Sequence, residues 1–237
     1  MKHVITCALF LFAWSSFVFS QQNIKLKKKD RKRDVELITT NGNIIFRLSD
    51  STPLHRDNFL RLVKTDYYDN VLFHRVIKDF MIQAGDPQSR EAKPGMPLGN
   101  GGPGYTIPAE FRPSLFHKKG ALAAARQSDD TNPAKASNGS QFYIVQGRKF
   151  TDAGLDSLEN FFLKRKIPIV HREVYKNTGG VPHLDENYTV FGEVVSGLET
   201  VDSIASESTS RQPPDRPIKD IRIIKAKLIK RKNKVQK

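Results

Sequence analysis

The sequence predicts a mainly β domain, a barrel or a sandwich, interrupted by one helical insertion. Short apolar stretches of strand length recur along the chain and are separated by Gly, Pro and Asn turns. Helix signals outside the insertion are few and short. Residues 148–182 alone break the rhythm, with apolar residues at helical spacing.

The elements follow in order. Residues 35–39 and 43–48 read as strands joined by Asn41-Gly42, a pair that tolerates the positive φ of a tight hairpin. Thr52-Pro53 marks a helix start, a cap followed by proline in the first turn, with Phe59, Leu60 and Val63 as the apolar stripe to about residue 64. Residues 72–77 and 80–83 read as strands. Residues 84–108 are rich in Gly and Pro and form a long ordered loop. Residues 121–125, 141–146, 188–195 and 218–229 are further strands, with a short helix over 198–205. In the insertion, Leu155, Leu158, Phe161 and Phe162 mark a helix over 152–166 that Ile167-Pro168 stops; residues 175–181 read as a turn ending in Gly179-Gly180. An insertion of this kind reads as a surface packing elaboration without chemistry.

Composition narrows the classes. The chain has 237 residues, 38% of them hydrophobic, which suits one globular domain with attached tails. Fifteen Phe and six Tyr exclude a largely disordered chain. One cysteine excludes a disulfide scaffold and a Cys-rich zinc module. The one long apolar run, residues 4–19 after Lys2, excludes a polytopic membrane protein and reads as a signal peptide cleaved after Ser20; an uncleaved anchor is the alternative. The expected product is exported, periplasmic or secreted, and has no cysteine. The net charge of +14 sits mainly at the two ends, residues 21–34 and 225–237, leaving the body over 35–224 nearly neutral. These ends read as solvated tails. No aromatic residues interleave with the cations, so no specific nucleic acid is expected, and at most weak contacts with anionic surfaces.

Four blocks carry the chemistry: FHRVIKDFMIQAGD at 73–86, GGPGYTIPAEF at 101–111, NGSQFYI at 138–144 and LDENYTVFG at 184–192. Together and in this order they resemble the cyclophilin-type peptidyl-prolyl cis-trans isomerases, from about residue 35 to 224. The resemblance implies a closed eight-stranded antiparallel β-barrel capped by two helices, with the active groove on its outside. It implies an isomerase that needs no cofactor, acts on proline-containing polypeptides and works as a monomer. By the match, Arg75 is the catalytic residue. Phe80, Met81, Tyr143 and Leu184 form the apolar pocket for the proline ring, although such residues at strand spacing are ordinarily core. Gln83 falls where it could orient Arg75, Gln141 where it could bond the substrate backbone, and Ala125-Arg126 where the backbone anchors the peptide. Three positions depart from the family pattern. Arg126 replaces a usual Asn. His183 stands where many members carry Trp, which implies weak binding of cyclosporin-like macrocycles. Tyr188 stands where many carry His, on the pocket rim.

The chemistry also stands without the family. An Xaa-Pro bond rotates slowly because resonance gives C–N partial double-bond character. At the twisted transition state the resonance is lost and the proline nitrogen becomes pyramidal and basic. A donor aimed at that nitrogen binds the transition state better than either planar state. A guanidinium, always charged and rigidly forked, suits the task. A proline-peptide binding module with little turnover, or an anionic-surface binder dominated by its basic ends, are the rival readings. The Gly99–Gly104 run lacks the Lys-Ser/Thr of a phosphate loop, and the six His show no metal spacing.

Overall fold

The computed structural model describes residues 24–231; the expected signal peptide lies outside them. The described chain contains twelve strands and four α-helices. Strands β1 (Arg33–Thr39) and β2 (Gly42–Leu48) form the expected hairpin, with Thr39 opposite Gly42, whose φ of 127° only glycine adopts readily. Helix α1 (Pro53–Lys64) follows, then β3 (Arg75–Ile77), β4 (Met81–Ala84), β5 (Thr106–Ile107), β6 (Ala121–Ala124), β7 (Ser137–Asn138) and β8 (Phe142–Val145). The insertion holds α2 (Asp152–Ser157), a π-helical turn (Leu158–Leu163) and α3 (Ile169–Asn177). Strand β9 (Val190–Ser196), α4 (Leu198–Ala205), the hairpin of β10 (Thr209–Arg211) and β11 (Pro214–Pro217), and β12 (Ile223–Lys230) complete the chain.

Eight strands form one antiparallel sheet in the order β12-β1-β2-β9-β6-β8-β4-β3. The expected closed barrel is not what forms: the sheet is curled but open between β3 and β12. Asn70, at φ 63°, turns the chain, and the irregular segment before β3 meets the start of β12 through one bridge, Leu72 to Arg222, and a few backbone bonds such as Phe73 N–H to Ile221 O at 2.9 Å. β3 is too short to continue that contact as a ladder. The concave face holds the core, where Phe46, Phe59, Tyr68, Phe142 and Phe191 meet edge to face or tilted.

Local corrections have physical causes. Thr52 does not cap α1, since its buried hydroxyl has no partner; the Glu110 carboxylate accepts from the Leu54 and His55 N–H groups instead, at 3.2 and 3.0 Å. The expectation of solvated basic tails fails for residues 24–34 and 225–231. Arg33 pairs with Lys230 in the β1–β12 ladder, and buried Asp30 and Asp34 bind Lys64, Arg47 and Arg231. In the insertion, residues 169–177 are helical where a turn was expected from 175, and Phe161 and Phe162 point to solvent. The insertion core is Leu155, Ile167 and Tyr175.

Candidate functional site

The pleat sorts the site residues. In β4 and β8, Ile82, Ala84, Phe142 and Ile144 enter the core, so Met81, Gln83, Tyr143 and Val145 face the other way. Register then aligns a row across four strand pairs: Arg75 opposite Gln83, Gln83 opposite Tyr143, Tyr143 opposite Ala123, Ala123 opposite Val190. His74 and Val76 are buried while Arg75 is exposed, as strand alternation requires.

This face opens into a cleft of about 310 Å³, at the small end of ligand pockets. Arg75, Phe80, Met81, Tyr143, Leu184 and Tyr188 line it, and so do Gln83, Ala125 and Arg126. Tyr188 meets Tyr143 edge to face at 5.9 Å. The Arg126 guanidinium lies 4.4 Å over the Tyr188 ring and donates to Asn187 O at 2.7 Å, so two of the unusual residues support each other. His183 is not part of the cleft lining; it stacks on Phe80 at 5.9 Å.

Gln83 and Gln141 are arranged otherwise than expected. Gln83 donates to Gln141 Oε1 at 2.9 Å, and no hydrogen bond joins Gln83 to Arg75 among the described residues. Gln141 is buried and donates to Gly99 O and Gly101 O at 2.8 and 2.7 Å, so it props the glycine-rich loop. Asp86 holds the same loop by accepting from Gly99 N–H, and a Cβ at Gly101 would stand 2.0 Å from its Oδ1. Ala125 spends its N–H on Gln141 O and its C=O on Asn138 N–H.

Sequence reasoning missed Pro213, Pro214 and Arg216, which bring the β10–β11 hairpin against the cleft. The run Gln212-Pro213-Pro214-Asp215 carried a turn signal that could have been read. From this hairpin Asp215 Oδ2 stands 3.4 Å from Arg75 Nε. The two side chains are 44% and 38% exposed, and a pair this open and long contributes little. The terminal nitrogens of Arg75 have no partner among the described residues.

Two buried histidine clusters flank the row. His117 Nδ1 pairs with Asp185 Oδ1 and Nε2 with the Tyr143 hydroxyl, both at 2.9 Å; Tyr175 of α3 donates to Asp185 Oδ2 at 2.6 Å. Burial pushes the Tyr143 and Tyr175 phenols up, so both remain protonated donors. This chain ties the insertion to the pocket floor. His55 lies between Glu110 (2.7 Å) and Ser137 Oγ (2.9 Å), an order of groups seen in hydrolases, but all three are buried and no substrate reaches the serine.

His74 is buried beside the cleft with neither ring nitrogen hydrogen-bonded, and burial lowers its pKa from 6.5 to about 4. The unfolded chain therefore takes up this proton first. The stability held by the neutral ring is complete above pH 6.5 and is lost as the pH falls towards about 4. Urea unfolding is expected to show a His74-dependent loss of about 3 kcal/mol across that interval, absent in His74→Leu.

Residues 35–228 match the family described as cyclophilin type peptidyl-prolyl cis-trans isomerase/CLD. A peptidyl-prolyl cis-trans isomerase by name from Staphylococcus saprophyticus is 37% identical over 196 residues, 80% of this chain and 89% of its own length. One from Staphylococcus aureus is 35% identical over 203 residues, 83% of this chain and 93% of its own. Among solved structures, a cyclophilin-type isomerase of Cryptosporidium parvum superposes with a TM-score of 0.61 at 25% identity, covering 84% of this chain and 99% of that one. The same protein in the presence of the dipeptide Ala-Pro gives 0.60 at 26% identity, covering 83% and 98%.

Proposed function

Because the chain belongs to the cyclophilin-type peptidyl-prolyl cis-trans isomerases, we propose that Arg75 supplies the charged donor that this isomerisation needs. The observation that carries the reading is the in-register row: a guanidinium with free terminal nitrogens stands one strand from Gln83 and two from Tyr143, in a cleft that also holds the apolar cluster of Phe80, Met81, Tyr143 and Leu184. The proline ring sits against Phe80, Met81, Tyr143, Leu184 and Tyr188. The Arg126 backbone, which makes no hydrogen bond among the described residues, anchors the peptide. Rotation makes and breaks no covalent bond, so the step needs neither nucleophile nor base. As the bond twists, the proline lone pair localises and accepts from Arg75. That charge-assisted bond exists only at the transition state and so raises kcat. Protease-coupled isomerisation of an Xaa-Pro peptide, with Arg75→Ala alongside, tests the assignment; full binding without turnover by the unaltered chain would favour a binding module.

The clients are proline-containing segments of exported polypeptides, a reading supported by the basic residue and apolar run before residue 20. N-terminal sequencing of the exported chain is expected to begin at Gln21; a product still starting at Met1 and held in membranes would identify an anchor.

A further inference from the structure

The insertion carries an apolar tip that the isomerase site does not use. The outgoing arm ends at Lys164, whose φ of 54° stops the helix, and α3 returns from Ile169. Phe161 and Phe162 on one arm and Ile169 and Val170 on the other are 71, 78, 79 and 73% exposed. The hairpin does not need them for its own packing, because Leu155, Ile167 and Tyr175 already form its core. Each forgoes the stabilisation that burial of a large apolar side chain brings. Four of them fall within residues 161–170, on two arms that Glu159 ties together, a density that calls for an occupant as scattered residues do not.

The tip is fixed, and it is fixed to the groove. The buried Glu159 carboxylate accepts from Lys166 Nζ, Ile167 N–H and Arg172 Nη1, each at 2.9 Å, which locks the turn between the arms. From that turn Arg165 Nη2 donates to Asp185 O at 3.0 Å, and α3 sends Tyr175 to Asp185 Oδ2 at 2.6 Å. The π-helical turn also packs on residues 182–184. Asp185 follows Leu184, a wall of the proline pocket, so the turn that carries Phe161 and Phe162 abuts the segment that forms the groove rim.

We infer that this tip is a second docking surface for the polypeptide whose proline occupies the groove: an unfolded segment with large apolar side chains at some distance from the Xaa-Pro bond. The inference rests on the reading of the groove as the substrate site. The contact of this turn with residues 182–184, which end at the pocket wall Leu184, favours this occupant, because a chain held in the groove passes next to it. A folded partner is disfavoured, since a four-residue tip falls short of the roughly 800 Å² per partner of a stable complex. Weak contacts at the tip gain effect because the groove holds the same chain nearby.

The test uses Phe161→Ser, Phe162→Ser, Ile169→Ser and Val170→Ser together in the mature chain, with two substrates. For a short Xaa-Pro peptide, which also reports that the variant is folded, kcat/KM is expected to stay within about twofold. For an unfolded cysteine-free protein whose refolding waits on one Xaa-Pro bond, kcat/KM is expected to fall about tenfold or more, through KM. Equal catalysis of refolding by both proteins overturns the proposal. So does unchanged refolding catalysis combined with loss of binding to phosphatidylglycerol vesicles, which assigns the tip to a lipid surface. Absence of peptide isomerisation by the unaltered protein overturns the groove reading itself.

Discussion

Replacing Arg75 by alanine is expected to lower kcat/KM on an Xaa-Pro peptide by about 10²–10³-fold, the loss found when one preorganised transition-state donor is removed. The effect falls on kcat, with KM little changed, because the planar ground state offers the guanidinium no localised lone pair. Folding is expected to survive. The side chain is 44% exposed, and its one partner among the described residues, Asp215, is reached through Nε at 3.4 Å. Arg75→Lys keeps the charge but loses the rigid fork, and is expected to recover only part of the rate. Unchanged turnover in Arg75→Ala, with unfolding unaltered, would remove Arg75 from the mechanism.

Asp185→Ala is expected to lower the stability of the fold by about 3–5 kcal/mol, read by urea unfolding. This carboxylate accepts from the His117 backbone N–H at 2.8 Å, from His117 Nδ1 at 2.9 Å and from the Tyr175 hydroxyl at 2.6 Å, all buried. Alanine leaves those donors without water or partner, and an unsatisfied buried donor loses its full solvation. Isomerase activity falls with stability, because Asp185 holds the His117 ring at Nδ1 and its Nε2 meets the Tyr143 hydroxyl at 2.9 Å, which sets the pocket floor. Tyr143→Phe separates the two effects. It keeps the ring that faces proline and removes one hydrogen bond, so about 1 kcal/mol of stability and little activity are expected to go. An Asp185→Ala protein as stable as the unaltered one would show that the Tyr143–His117–Asp185–Tyr175 chain is not a brace.

Features that depend on near neighbours in the chain were legible from residues alone. Gly42 marks the β1–β2 hairpin because its φ of 127° is one that glycine alone adopts readily, although the turn is Thr40-Asn41 and Asn41, expected to share the positive φ, does not; Pro53 starts α1 because its ring presets the first helical φ. Alternation around Arg75 buries His74 and Val76, since a strand's period of two leaves no freedom once one face is buried. The four ordered motifs identified the family and many of the cleft residues, but not Pro213, Pro214 and Arg216, and they included His183 and Gln141, which lie off the cleft lining.

Local pattern was enough for the eight strands of the main sheet and for α1 and α4, but not for the short pairs β5–β7 and β10–β11. Tertiary structure alone decided what the residues of these elements meet. Glu110 displaces Thr52 as the cap of α1 from 56 residues away, and Gln141 turns inward to the glycine loop and engages Gln83. The N-terminal end folds because its own Asp30 and Asp34 meet Lys64 and Arg47, and the C-terminal end because Arg231 reaches Asp34. The sheet stays open where β3 packs against the β10–β11 hairpin and only Leu72, among the described residues, bridges to Arg222, and Phe161 and Phe162 face water while Leu155, Ile167 and Tyr175 form the insertion core. Each outcome is a competition between partners remote in sequence, and local propensity holds no information about which of them arrives.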